Sequence, residues 1–571
     1  MFATLLSILH AMLARRPVFS VATTLVVTLS VVPISVGMVG CVGGISGPGG
    51  TSTGGDGGNS GGPSAGGPLL PARIRRLTNA EYDASVQALL GTTQQPSPSS
   101  AFPPDSRQGS FTLNDAQRVD PVLAKQLDVA ALALVSEARG NGKLAALAPC
   151  AAGEACATTF INDFGARAYR RPLAADESAA LVALYHAGAD GATHEEGIDL
   201  VARAMLQSAG FLYLTELGAP PASGGAAASK VVLTSNETAS ALSYVLGGMP
   251  PDQPLLDAAG AGQLATSDGR EQQARRLLAL SGGHERVVRV VREWFGVDRI
   301  ADTAKDTTVY PDFAGVKASM EAESLRFIDE VMSHGTGTVS ELLGADWTMA
   351  DAPLASVYGV SSGGAGRTSL AAVGRRGLLN QGAFLSVYAH ASETAPVLRG
   401  VAIMRRVACL PLKSPTELNI VVTPPMPDPS KTTRQRFDVH ATDALCRSCH
   451  KSIDAFGFAF EGYDGMGKAR TTDSNLPVDS TTTVATGKDF DGSYADSNAL
   501  AAALAGSADV RACAARQLFR ASAGRSDDSA AGAEAAFVDG WRTLPAEAQG
   551  NLVETLVAFV RSAQFVERSA R

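Results

Sequence analysis

The chain has 571 residues, 45% of them hydrophobic and 18% charged, with a formal net charge of −8. That length holds several domains, and that apolar share excludes both a disordered chain and a multispanning membrane protein. An acidic balance without a Lys/Arg-rich domain gives no phosphate-tracking groove, so nucleic acid is not an expected partner.

Arg15-Arg16 precede an uncharged, largely apolar run, Pro17 to Gly40, that ends in Met38-Val39-Gly40-Cys41. A basic start, an apolar core and small residues before the break are what an export machine reads. The Val39-Gly40-Cys41 end resembles a bacterial lipoprotein box, in which Cys41 becomes the lipidated N-terminus; Met38 stands where Leu is usual. An uncleaved signal anchor and simple secretion are the alternatives. Residues 42–68 hold 13 glycines among 27 positions, a flexible tether that would give an anchored domain clearance from the membrane. The expected location is exported, on the outer membrane or in the periplasm, held to the membrane through the lipid.

Beyond the tether the pattern is mainly α. Thr78 and Glu81 form a capping box with Leu77 and Tyr82 as its hydrophobic staple, and Gly91 is placed to close that helix. The same device recurs at Thr234 and Glu237, which two independently capped helices explain as well as a duplicated module. Phe160, Phe164 and Ala168 make a stripe ended by Arg170-Arg171-Pro172, and Leu173 to Tyr185 begin another helix. Helical periodicity also covers 196–216, 269–296, 316–343, 396–408, 506–523 and 545–564. The run Pro477 to Asp491 reads as a small β-hairpin. The expected organisation is an export peptide at 1–41, the tether at 42–68, and helical modules at 69–145, 146–217 and 230–360. A C-x-x-C-H module follows at 368–471 and a C-terminal helical module at 472–571.

Seven cysteines in an exported chain divide among anchor, bridge and ligand. Cys150 and Cys156 are close enough for a structural disulfide. Cys409 and Cys513 remain as a pair that could bridge across the C-terminal half. Cys446-Arg447-Ser448-Cys449-His450 is an uninterrupted C-x-x-C-H, the spacing at which two thiols meet the vinyl groups of a haem c and the adjacent histidine lies under the iron. Attachment happens after export, a condition the N-terminal segment meets. His450 is then the proximal ligand, and Met466 or His440 is a candidate sixth ligand, with Met426 in a Pro-rich loop and an open iron also considered. Two other readings stand beside haem: zinc held by His440, Cys446, Cys449 and His450, and a short Cys446–Cys449 disulfide. Asp454, Glu461 and Asp464 either hydrogen-bond the histidine or, as the plainer reading, cap helices and pair with Lys468 or Arg470. Glu321, Glu323 and Glu330 on one helical stretch read as a solvated face rather than as acid/base pairs. No Ser-His-Asp, H-E-x-x-H or nucleotide-binding pattern stands out.

Several segments together resemble a multi-module family of exported bacterial proteins, planctomycete and myxobacterial in type, built of domains of unknown function and associated with cytochrome c. The segments are Arg75 to Asp83, Phe164 to Leu173, Leu242 to Leu246 leading into Pro251-Asp252, Arg376 to Leu385, Ala395 to Gly400, Cys446 to Arg470 and Ala512 to Phe519. Relatives that look like fusions with cytochrome c-type or carbohydrate-binding modules imply redox work at the cell surface, with a redox partner protein or a polysaccharide-related substrate. Where the family commonly has Ile-Asp-Pro-x-Gly-Phe after the motif, this chain has Ile453-Asp454-Ala455-Phe456-Gly457-Phe458. The resulting expectation is a surface-anchored electron-transfer or oxidoreductase component with one haem. Its alternative is a non-enzymatic binding or scaffold protein in which the two cysteines are structural.

Overall fold

The computed structural model describes residues 68–112, 118–219, 230–417, 425–426, 428–442, 444–525 and 528–569. The export segment, Cys41 and all but the last residue of the tether lie outside them. The fold is mainly helical, with short two- and three-stranded sheets. Leu70–Pro71 runs parallel to Glu567–Ser569, which pairs antiparallel with Lys230–Val232, so one sheet ties the first described strand to the last. A second pairing sets Arg73–Arg76 against Tyr213–Glu216. Glu216 lies between the two sheets, accepting from Arg73 Nη2 at 3.0 Å and from Arg568 Nε at 2.8 Å. Burial alone would raise its pKa, but the Arg568 and Arg73 guanidinium groups hold the carboxyl well below the usual range.

Both predicted capping boxes form. Thr78 accepts from the Glu81 amide ahead of Asn79–Leu90, and Thr234 does the same for Ser235–Leu246; Gly91 closes the first helix at φ 63. Ser85 Oγ and Tyr244 OH, 2.8 Å apart, join these two helices. The stripe of Phe160, Phe164 and Ala168 packs with Tyr82, Val86 and Leu134 in one core. Glu154–Tyr169, Ala175–Ala189 and His194–Leu206 supply much of its wall. The helix expected over 196–216 ends at Leu206, because Tyr213–Glu216 gives its backbone bonds to the Arg73–Arg76 strand instead. Likewise 269–296 divides into Ser267–Leu278 and Ser281–Phe295, and 545–564 into three short helices.

The larger core gathers Trp294, Phe327, Phe384, Phe456 and Phe519. Within it Pro396–Arg406 crosses Ala444–Phe458 closely enough that two glycines are required. A Cβ on Gly400 would stand 2.0 Å from the Ile453 carbonyl oxygen, and one on Gly457 would stand 2.0 Å from that of Pro396. Of the hairpin expected over Pro477 to Asp491, one strand, Thr482–Val484, lies inside that run and pairs with Gly492–Tyr494 just beyond it, and a two-residue turn at Ser474 and Asn475, both at positive φ, adds a smaller hairpin at Thr472–Asp473 and Leu476–Pro477. Cys150 is bridged to Cys156 and Cys409 to Cys513, the second bond joining the end of Pro396–Arg406 to Ala508–Ala523. Among the described residues no helix is long and apolar enough to cross a membrane.

Candidate functional site

Helix Ala444–Phe458 has two unlike halves. Its C-terminal half carries Ile453 and Phe456, buried against Pro396–Arg406 and the Thr482 hairpin, where Phe456 meets Phe490 at 6.1 Å and Thr482 Oγ1 donates to the Ala455 carbonyl at 2.6 Å. That anchorage fixes the N-terminal half, on which Cys446, Cys449 and His450 are partly exposed. Neither thiol is in a disulfide, so the short bridge weighed as one alternative is not made.

His450 reaches one helical turn forward to Asp454. Its Nδ1 lies 3.0 Å from Asp454 Oδ1, and His440 Nδ1 lies 3.1 Å from Oδ2 of the same carboxylate. A carboxylate accepts, so Nδ1 is the donor in each ring, and a neutral ring so bound keeps its lone pair on Nε2. The two ring centroids are 3.7 Å apart. Burial, and then the neighbouring His450, push the His440 pKa below its ordinary value. One ligand atom from each of His440, His450 and Asp454 fits within a 4.8 Å span, and neither Cys446 nor Cys449 belongs to that group. A four-ligand zinc site from His440, Cys446, Cys449 and His450 is therefore not assembled. Consecutive helical residues such as Cys449 and His450 point about 100° apart, which works against one tetrahedral ion.

The donor set does fit a covalently attached haem. Cys446 and Cys449 are two unbridged thiols one turn apart, and His450 has Nδ1 engaged by a carboxylate and Nε2 available for iron. Met466 is 5% exposed and belongs to the larger core, flanked by Gly465, whose amide donates to Tyr310 OH at 3.1 Å, and by Gly467 at φ 87. Met426, by contrast, is 79% exposed.

The other two acids after the motif do structural work. Glu461 accepts from Arg470 Nη2 at 2.7 Å and from Thr394 Oγ1 at 2.9 Å, and burial raises its pKa. Asp464 accepts the amides of Met466 and Lys468. Arg399, fully enclosed, binds the chain just after the helix, donating to the Phe460 carbonyl at 3.0 Å and to that of Asp464 at 2.8 Å. Asp454, in contrast, takes the histidine-binding role that the plainer reading had set aside.

Glu323 corrects the solvated-face expectation. Glu321 pairs with Arg292, and Glu330 with Arg367, near the surface, but Glu323 is 0% exposed. It accepts from Thr348 Oγ1 and Tyr358 OH, each at 2.7 Å; Gln381 Nε2 in turn donates to Thr348 Oγ1 and the Gly382 amide to Tyr358 OH. Burial pushes its pKa up to about 7, opposed by the two hydroxyl donors and Arg375. Arg375 lies over the Tyr358 ring at 3.9 Å and the Tyr463 ring at 4.4 Å, and donates to the Gly467 carbonyl at 2.7 Å. The sequence held the signal: Val316, Met320, Glu323, Phe327 and Val331 fall on one helical stripe, so Glu323 stands among core residues.

Four family models match the chain in order. They are PSD3, a protein of unknown function (DUF1587), over 75–140; PSD5, a protein of unknown function (DUF1595), over 156–216; PSD4, a protein of unknown function (DUF1592), over 233–360; and PSCyt3, a protein of unknown function (DUF1588), over 375–473. The last contains every residue of the candidate site. No curated protein and no solved structure matches. Together the four models span more than half of the sequence, and the chain belongs to the multi-module family of domains of unknown function that they describe.

Proposed function

We propose that this chain is an exported, membrane-tethered redox protein that carries one haem c through Cys446 and Cys449, with His450 as the proximal ligand. The observation that carries the reading is the pair of unbridged thiols beside an imidazole whose Nδ1 is held by Asp454. The PSCyt3 match over the same residues supports it. The haem would supply reversible one-electron chemistry. The chain's contribution is orientation: the Pro396–Arg406 crossing and the Thr482 hairpin hold the helix, and the partly exposed turn at Cys446 to His450 leaves an edge from which an electron can reach a partner protein or a polysaccharide-related substrate. Lipidation of Cys41 and the glycine-rich tether would place this edge outside the cytoplasm, at the membrane.

Protein matured with the c-type attachment apparatus should yield a Leu445–Lys451 peptide heavier by one haem and a haem-dependent stain after denaturation. An unmodified peptide, with a Cys446–Cys449 disulfide or one equivalent of zinc, overturns the proposal in favour of a scaffold. Separately, the mature N-terminus should map to Cys41, and Cys41→Ala should remain unlipidated.

A further inference from the structure

Resting on that reading, we infer that Asp454 holds His440 and His450 as a pair on one side of the iron, so that His440 supports the proximal ligand and is not the ligand opposite it. Two axial imidazoles must approach an iron from opposite faces of the macrocycle, with the macrocycle between them. Here the two ring centroids are 3.7 Å apart with the planes tilted by 42°, so the rings pack directly on one another, and each turns Nδ1 toward the same carboxylate. Nothing the thickness of a porphyrin fits between them.

The segment bearing His440 is tied down from several directions. Thr432 caps Thr433–Arg436, and Arg434 donates to the carbonyls of Asp479 and Thr481 at 3.1 and 2.6 Å. Arg436 pairs with Glu393 at 2.7 Å, and Phe437 sets its ring edge-on to His440 at 5.0 Å. Carrying His440 to the opposite face would break these contacts together with the 3.1 Å bond to Asp454. Asp454 is buried at 9% exposure, so its charge is poorly screened and acts on both rings. As a positioning residue it selects the Nδ1–H tautomer of His450 and makes Nε2 the more basic donor, which favours the oxidised metal.

Three measurements test this. In the haem-loaded protein His440→Ala should leave the spin state and the axial-ligand bands unchanged; loss of a low-spin signal would show that His440 is the opposite ligand and overturn the inference. Asp454→Asn, which keeps the shape and removes the charge, should retain the haem adduct and shift the midpoint potential upward, with Asp454→Glu shifting it less. An unchanged potential in the Asn variant also overturns it. In the full-length protein before haem attachment, nitrogen-15 NMR should report protons on Nδ1 of both histidines, and Asp454→Ala should abolish that preference. If no haem attaches at all, the functional reading fails, while the NMR result still decides whether Asp454 pairs the two rings.

Discussion

Glu323 on the Phe313–Ser333 helix and Asp454 on the Ala444–Phe458 helix are both buried carboxyls, 0% and 9% exposed, yet the first is reached by two hydroxyls and the second by two imidazoles. Around Glu323 the hydroxyl donors are themselves satisfied by Gln381 and Gly382, and Arg375 is stacked between Tyr358 and Tyr463. That network runs inward among core side chains, where Gln381 Oε1 is left without a partner among the described residues. Around Asp454 each imidazole uses one nitrogen on the carboxylate and keeps a second, and the neighbouring thiols are unbridged. A buried acid reached only by core hydroxyls serves stability, whereas one reached by imidazoles that each keep a second ring nitrogen can serve a ligand. The two clusters are also connected through structure: Arg375 donates to the Gly467 carbonyl, in the segment that follows the Cys446 helix and that Arg399 and Glu461 brace.

The contrast breaks most visibly at Glu323. Glu323→Ala leaves Thr348 Oγ1 and Tyr358 OH without an acceptor and opens a void in the main core, for an expected loss of about 3–4 kcal/mol in denaturant unfolding. A loss below about 1 kcal/mol would mean that the site collapses or admits water.

A milder substitution isolates the charge. Burial pushes the pKa of folded Glu323 up to about 7 from an ordinary value of 4.5. The folded state therefore holds a proton that the unfolded chain releases, so this group's contribution is fully present below about pH 4.5 and is lost as pH rises through 7. The span corresponds to about 3 kcal/mol as an upper bound. Glu323→Gln removes that ionisation, and its unfolding free energy should lack the decline between about pH 4.5 and 7 expected of the parent. Parallel profiles for the two proteins would place the titration elsewhere.

These two acids also mark how far the sequence could be read. Capping boxes at Thr78 and Thr234, the helix after Arg170-Arg171-Pro172 and the Cys150–Cys156 bridge were legible because each is local, set by residues within one or two turns. The Cys409–Cys513 pairing, 104 residues apart, followed from elimination only as an option, since nothing local says which helices meet. Glu323 was visible as a carboxylate on an apolar stripe, but its partners come from Thr348 and Tyr358, and burial is a property of the assembled core. Asp454 lies four residues after His450 and was legible as a neighbour. Its second partner, His440, was not, because that meeting depends on the turn at Phe437 and on Arg434 reaching the hairpin.

The smallest effect on folding is expected at the other pole of the comparison. Asp454→Asn keeps the volume of the side chain and leaves the apolar contacts of Ile453 and Phe456 in place. What is lost is the charge on two hydrogen bonds to a buried carboxylate, while Asn can still accept one of them, so the unfolding free energy should fall by about 1–2 kcal/mol, less than at Glu323→Ala. The same change should move the properties of the site far more than the stability of the fold. If Asp454→Asn instead unfolds the protein as severely as Glu323→Ala, Asp454 is a core acid of the same kind as Glu323, and the division between the hydroxyl-bound and the imidazole-bound acid does not hold.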